Sequence, residues 1–461
     1  MGNIGKAVFR GRVMTVTVED SCSVIRTCRR EILGCAVVGS LSILVLAALT
    51  FRYGVYYSDG TPVLYSVAVH SLTAGFRVIF RPLEYLILLG ANKVYLPLWF
   101  GASLLCMVGA TILSGLACER LFERQLPKVG WWILGLANPL LFLPVSQAQA
   151  LSQSLADLLF AGAMLAFISE LHRLRGRPLL GWRADRVAVF LNLMAAALFL
   201  TKENAVAAAT VIPATIAWIR LKASRLSPIF LFSLFLPIGA AICWIFVKIL
   251  MKLEYPTSLF PTLGNTRYDL KVNPIMWGQN FIVTLAFPVT PLPSSFISFD
   301  LLRPLWVVVA LGSVTMFIGL LLRESLRQPK IVLPLLVIAA SCAPMILIHA
   351  SETYSSMIAP FAVSIVLLFG LSKMRRLSLA YGLLLYAGSL GNGIIFCLGS
   401  DFNLLGLQHL EYSIYTKEFQ TRPICPISTA HIAWDGTDVQ ELVGGTPPAG
   451  GVKGSFICID R

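Results

Sequence analysis

From residue 32 onward the chain is dominated by long apolar runs separated by short basic clusters. Most of the runs approach the about 20 residues that a helix needs to cross a bilayer, and they lack the strict apolar/polar alternation of a barrel strand. The pattern predicts an all-α, polytopic transmembrane helical bundle of about 11 spans. Those spans fall at about 32–51, 95–118, 130–146, 152–170, 187–201, 204–219, 227–251, 304–322, 331–349, 356–372 and 377–399.

Two stretches break this rhythm. Residues 53–94 mix Asp59, His70, Arg77, Arg81, Glu84 and Lys93 with aromatic and aliphatic residues. Such a segment is too polar for a span and too apolar for a solvated loop, which predicts amphipathic helices at the membrane surface in the first outer loop. Residues 252–302 form a second outer region, rich in proline and aromatics, read as partly re-entrant or interfacial. The chain thus divides into a cytoplasmic N-terminus (1–31), a transmembrane domain (32–399) and a loop-rich, non-cytoplasmic tail (400–461).

Composition agrees with the pattern: 57% of the 461 residues are hydrophobic and 13% charged, and the mean hydropathy is +0.77. A net charge of +14 raises nucleic acid as a partner. The basic residues, however, sit between apolar runs and form no stripe interleaved with aromatics, so charge reads as topology and nucleic acid is set aside. Arg173, Arg175, Arg177, Arg183 and Arg186 give the strongest inside signal. The ten cysteines show no zinc spacing. Cys106, Cys243, Cys342 and Cys397 lie in apolar runs and read as packing residues, whereas Cys425 and Cys458 lie in the polar tail and form a disulfide candidate in an oxidising compartment.

With the basic clusters inside, the opposite face collects Asp59, Arg81, Glu84, Lys93, Lys202, Glu203 and Glu352. Ionisable groups at membrane depth are costly and tend to mark paired or functional sites. Pro82 holds a fixed turn between Arg81 and Glu84, and a guanidinium so held suits a phosphate, although interfacial snorkelling explains it too. Lys202-Glu203 at a hairpin tip and Glu352 between two spans also read as simple boundary residues. Asp157 falls one or two turns into a span, where it must be partnered or neutralised and face the bundle interior or an outer cavity.

The order of these features resembles the C superfamily of membrane glycosyltransferases, and most closely its protein O-mannosyltransferase-like and tetratricopeptide-containing branches. Tyr57-Ser58-Asp59-Gly60 stands where the family has an acidic motif after the first span. Phe80-Arg81-Pro82-Leu83 through Ala91-Asn92 resembles the segment leading into its second span, and Ala137-Asn138-Pro139 to Ala156-Asp157-Leu158-Leu159 resembles its third and fourth. Leu200-Thr201-Lys202-Glu203 and Ser351-Glu352-Thr353-Tyr354 occupy the places of two later motifs. The resemblance covers residues 32–372 and rests on order and placement; Asp59 stands alone where many members carry adjacent acids, and Thr353 replaces an arginine.

What the resemblance implies is an inverting transfer of a sugar from a polyprenyl-phosphate donor to a glycan or protein acceptor, with a divalent metal as an open question. Asp59 would be the general base. Arg81, Glu84, Asp157, Lys202, Glu203 and Glu352 would contribute to substrate binding, and the site would face the periplasm of a bacterial inner membrane. A lipid or glycolipid transporter or flippase, and a catalytically degenerate membrane scaffold, are the alternatives. Inverted repeats or paired broken helices would favour a transporter, and the sequence shows neither.

Overall fold

The computed structural model describes residues 30–42, 44, 96–136, 151–175, 182–201, 205–254, 273–290, 292, 300–341, 343–347, 357–369, 380, 383, 384 and 387. Among the described residues every regular element is helical and no strand occurs. Residues 30–42 form α1, followed by α2 (Leu96–Phe122), α3 (Lys128–Leu136), α4 (Leu151–Arg175), α5 (Trp182–Phe199) and α6 (Val206–Lys222). Then come α7 (Pro228–Ser233), α8 (Phe235–Glu254), α9 (Pro274–Val289), α10 (Arg303–Arg327), α11 (Val332–Ser341), α12 (Ala343–Leu347) and α13 (Ala359–Phe369).

Four stretches are long and apolar enough to cross a membrane: Gly101–Phe122, Gln153–Leu174, Pro228–Phe246 and Arg303–Arg327. They differ in position. α4 is central, burying Phe160, Met164 and Phe167, while Phe232, Phe235, Ile242 and Phe246 on α7 and α8 are exposed. A continuous exposed apolar face on helices of spanning length suits lipid rather than water. The described bundle is therefore that of an all-α membrane protein.

Small residues set how closely the helices approach. α2 and α4 pack together with Ala110, Ala117, Ala156 and Ala163 all buried, and a Cβ placed on Gly109 would come within 2.8 Å of Leu158. At the α1–α3 crossing a Cβ on Gly135 would lie 2.7 Å from the Cys35 carbonyl oxygen and 3.1 Å from the Gly39 nitrogen. Lipid tails are as apolar as the helices, so such close backbone packing supplies much of the association energy in a bilayer. Gly135→Val is expected to cost about 1–3 kcal/mol by overpacking, read as a lower unfolding temperature in detergent.

Helix ends follow local chemistry. Ser227 caps α7 by accepting from the Phe230 amide at 3.1 Å, with Pro228 at the first helical position. Asn273 likewise accepts from the amides of Ile275 and Met276 at the start of α9. α2 and α6 end in left-handed residues, Glu123 (φ 53°) and Ser224 (φ 52°), and the next amides bond back to Glu119 and Arg220 at 3.1 and 2.9 Å. This is the Schellman turn, here without glycine.

α9 lies inside the region read from sequence as an outer loop. Pro274 begins it, where no intrahelical N–H bond is lost, whereas Pro288 lies inside its last turn and forgoes one backbone hydrogen bond. Its C-terminal half buries Leu285, Ala286 and Val289, while Asn280 donates to the Ile346 carbonyl at 3.0 Å. The span read at 227–251 divides into α7 and α8 at Leu234, and that at 331–349 contains α11 and α12.

Direct contacts gather the basic clusters at one end of the bundle. Arg120 donates to Ser169 at 2.7 Å, Arg225 to the Leu174 carbonyl at 2.8 Å, and Arg124 to Glu324 at 3.5 Å. Lys330 pairs with Glu123, and Lys128 pairs with Glu31 at 3.6 Å. The ends of α2, α4, α6 and α10 thereby share one level with the starts of α1 and α3.

Candidate functional site

Of the candidate catalytic and substrate-binding residues, Asp157 is the one within the described residues. Asp59, Arg81, Glu84, Lys202, Glu203 and Glu352 lie outside them, as do Cys425 and Cys458. Their mutual geometry, and the interfacial helices expected between 61 and 94, therefore also lie outside the described structure. Thr201 and Ala205, which flank the Lys202-Glu203 tip, are both buried at the α5–α6 turn.

Asp157 occupies the second turn of α4, at the end of the bundle away from the basic clusters. It is 4% exposed, and the buried Gln153 one turn earlier donates its Nε2 to Oδ1 at 2.8 Å. The spacing of four residues puts both side chains on one face, and that face turns inward. Ser154 is buried beside them, and the Cys106 thiol of α2 lies within electrostatic reach of the carboxylate. A carboxylate withdrawn from water in this way needs donors to hold it. It can orient a hydroxyl or a cationic group brought into the bundle at that end.

The opposite end holds a constellation that sequence reasoning missed. Arg220, 1% exposed, places Nε and Nη2 on Glu170 Oε1 at 2.9 and 2.6 Å and Nη1 on Asp185 Oδ1 at 2.6 Å. Arg173 donates from Nε to Glu170 Oε2 at 2.7 Å and from Nη2 to Oε1 at 2.6 Å. Ser227 donates to Asp185 Oδ2 at 2.7 Å, and the Arg220 guanidinium stacks 4.4 Å from the centre of the Phe230 ring.

Every carboxylate oxygen of Glu170 and Asp185 is engaged, and the formal charges of the acids and arginines cancel. With no open acceptor, the cluster suits holding α4, α5, α6 and α7 together better than acid–base chemistry. A second tie joins α2, α10 and α13: the buried Glu324 accepts from Arg124 and Arg327, and Arg124 stacks 4.8 Å from the Phe369 ring centre.

Two sequence signals could have exposed the first cluster. Asp185 is an acid in an otherwise basic loop, and Glu170 lies three residues before Arg173. Reading the arginines only as topology markers hid both. Among the described residues no group of three or more His, Cys, Asp or Glu side chains is placed to hold a metal ion. Compared with known protein families, with characterised proteins and with solved structures, the chain gives no match.

Proposed function

We propose that this chain is an integral membrane glycosyltransferase of about eleven spans that moves a sugar from a polyprenyl-phosphate donor to an acceptor on the non-cytoplasmic face. The order of motifs between residues 32 and 372 motivates the reading. The observation that carries it is Asp157, a buried, hydrogen-bonded carboxylate at the end of the bundle opposite the basic clusters. Its place at the end opposite the basic clusters supports a site on the non-cytoplasmic side, where the positive-inside rule puts that end.

In this reaction Asp59 accepts the proton of the acceptor hydroxyl while the oxygen attacks the anomeric carbon. The bond from that carbon to the lipid phosphate oxygen breaks, the configuration inverts, and the polyprenyl phosphate departs with the electron pair. Arg81 and Lys202 offset the charge on the leaving phosphate. Asp157 helps orient the acceptor, and Glu84, Glu203 and Glu352 complete the polar lining.

The test is reconstitution of the full chain in liposomes with polyprenyl-phosphate donors carrying radiolabelled hexoses and a mixture of glycan and peptide acceptors. Transfer of label into acceptor, with release of polyprenyl phosphate, supports the reading. Movement of intact donor between leaflets without transfer would replace it with a flippase.

A further inference from the structure

α2 and α4 run parallel in a constant register. Arg120 bonds Ser169, a Cβ on Gly109 would meet Leu158, and a Cβ on Gly162 would meet Leu113 at 3.7 Å, each pair 49 residues apart. Counting back from Arg120 in alternating steps of three and four gives Ala117, Leu113, Ala110, Cys106 and Ser103, one stripe of α2 along α4. The stripe is apolar from Ala117 to Ala110 and turns polar at its outer end, where α4 brings Gln153, Ser154 and Asp157.

Ser103 is fully buried, and among the described residues its hydroxyl has no hydrogen-bond partner. The register sets it level with Ser152, which is five residues, or about 7.5 Å of helical rise, from Asp157. Cys106, the next position on the stripe, lies within electrostatic reach of Asp157 and is half-buried. Ala102 beside Ser103 is half-buried too, so this polar end of the seam borders open space. A buried hydroxyl without a partner is costly, and a ligand that supplies one accounts for it.

We propose that this outer mouth of the α2–α4 seam is the acceptor subsite and that the acceptor is a saccharide, one of its hydroxyls on Asp157 and another on Ser103. The inference rests on the glycosyltransferase reading and narrows its acceptor from glycan or protein to glycan. Ionised Asp157 only accepts, whereas Ser103 gives or takes a hydrogen bond, and sugar hydroxyls serve both. The rise between the two positions is more than a single serine or threonine hydroxyl bridges, while a sugar ring carries hydroxyls on both edges. Gln153, bonded to Oδ1 at 2.8 Å, keeps the carboxylate in place.

The full chain in liposomes is offered a polyprenyl-phosphate donor with a radiolabelled hexose, and either a methyl glycoside or a serine/threonine peptide as acceptor. The glycoside should be the better acceptor. Ser103→Ala should raise its KM about fivefold with a smaller change in kcat, as for loss of one neutral hydrogen bond on binding. Because alanine removes an unpartnered buried hydroxyl, the variant should unfold without acceptor at the same or a higher temperature; a lower one would mark Ser103 as part of the fold and overturn the inference. An unchanged KM, or preference for the peptide, would overturn it while leaving the glycosyltransferase reading in place. If no label moves, that reading falls, and labelling of Cys106 by a maleimide decides the subsite. Protection by the glycoside that is lost in Ser103→Ala supports it, and equal labelling with and without glycoside overturns it.

Discussion

Arg220→Ala should destabilise the protein by about 3 kcal/mol, seen as a lower unfolding temperature in detergent and less protein in the membrane fraction. The substitution removes the only side chain that bonds Glu170 and Asp185 together in the described cluster, and both acids are buried. Breaking a buried ion pair by deleting one partner costs about 3–5 kcal/mol, because a charge is left without compensation. Here Arg173 still serves Glu170 and Ser227 still serves Asp185, which places the expected loss at the lower end of that range. Arg220→Lys should recover only part of it, since a single ammonium cannot present the same fork to both acids.

A double-mutant cycle separates coupling from packing. Combining Arg220→Met with Asp185→Asn should cost less than the sum of the two single changes, because the second removes a charge that the first leaves stranded. Strict additivity would mean that Arg220 contributes through its contact with Phe230 and the walls of its pocket, and that the ion pairs are incidental.

The same cluster shows why part of the fold was legible and part was not. The spans expected at 95–118, 152–170 and 304–322 correspond to helices at Leu96–Phe122, Leu151–Arg175 and Arg303–Arg327. Run length and hydropathy suffice there, because the bilayer constrains both. In each case the helix continues for about another turn past the expected inner boundary, into residues that hydropathy assigns to a loop. Those extra turns carry Arg120, Arg173 and Glu324, which fold against neighbouring helices. Whether an arginine at a helix end meets water or an acid depends on residues distant in sequence, such as Glu170 and Arg220, and hydropathy is blind to that pairing.

The candidate site is legible differently. That Asp157 needed a partner followed from its place inside an apolar run, and Gln153 one turn away was the nearest donor by helix geometry. Which end of the bundle it occupies relative to the charged turns required the contacts themselves. α9 falls in the region read only as partly re-entrant or interfacial: Pro274 suits the first helical position, whereas Pro288, inside the last turn, gives no helix signal, so the bounds of the helix were not legible.

Asp59→Asn should lower sugar transfer by about a factor of 10²–10⁴, the usual contribution of a positioned general base, while leaving membrane abundance unchanged. Asparagine keeps the size and polarity of the side chain but cannot take the proton of the acceptor hydroxyl. Arg81→Ala should act on a different quantity: it weakens neutralisation of the lipid phosphate, so the donor KM rises and turnover falls together. Asp157→Asn retains an oxygen able to accept from Gln153, so its loss should be smaller than that of Asp59→Asn and fall on the acceptor KM. If Asp157→Asn instead abolished transfer and Asp59→Asn left it intact, the base would be the buried acid of α4, and the polar break after the first apolar run would revert to a membrane-boundary marker.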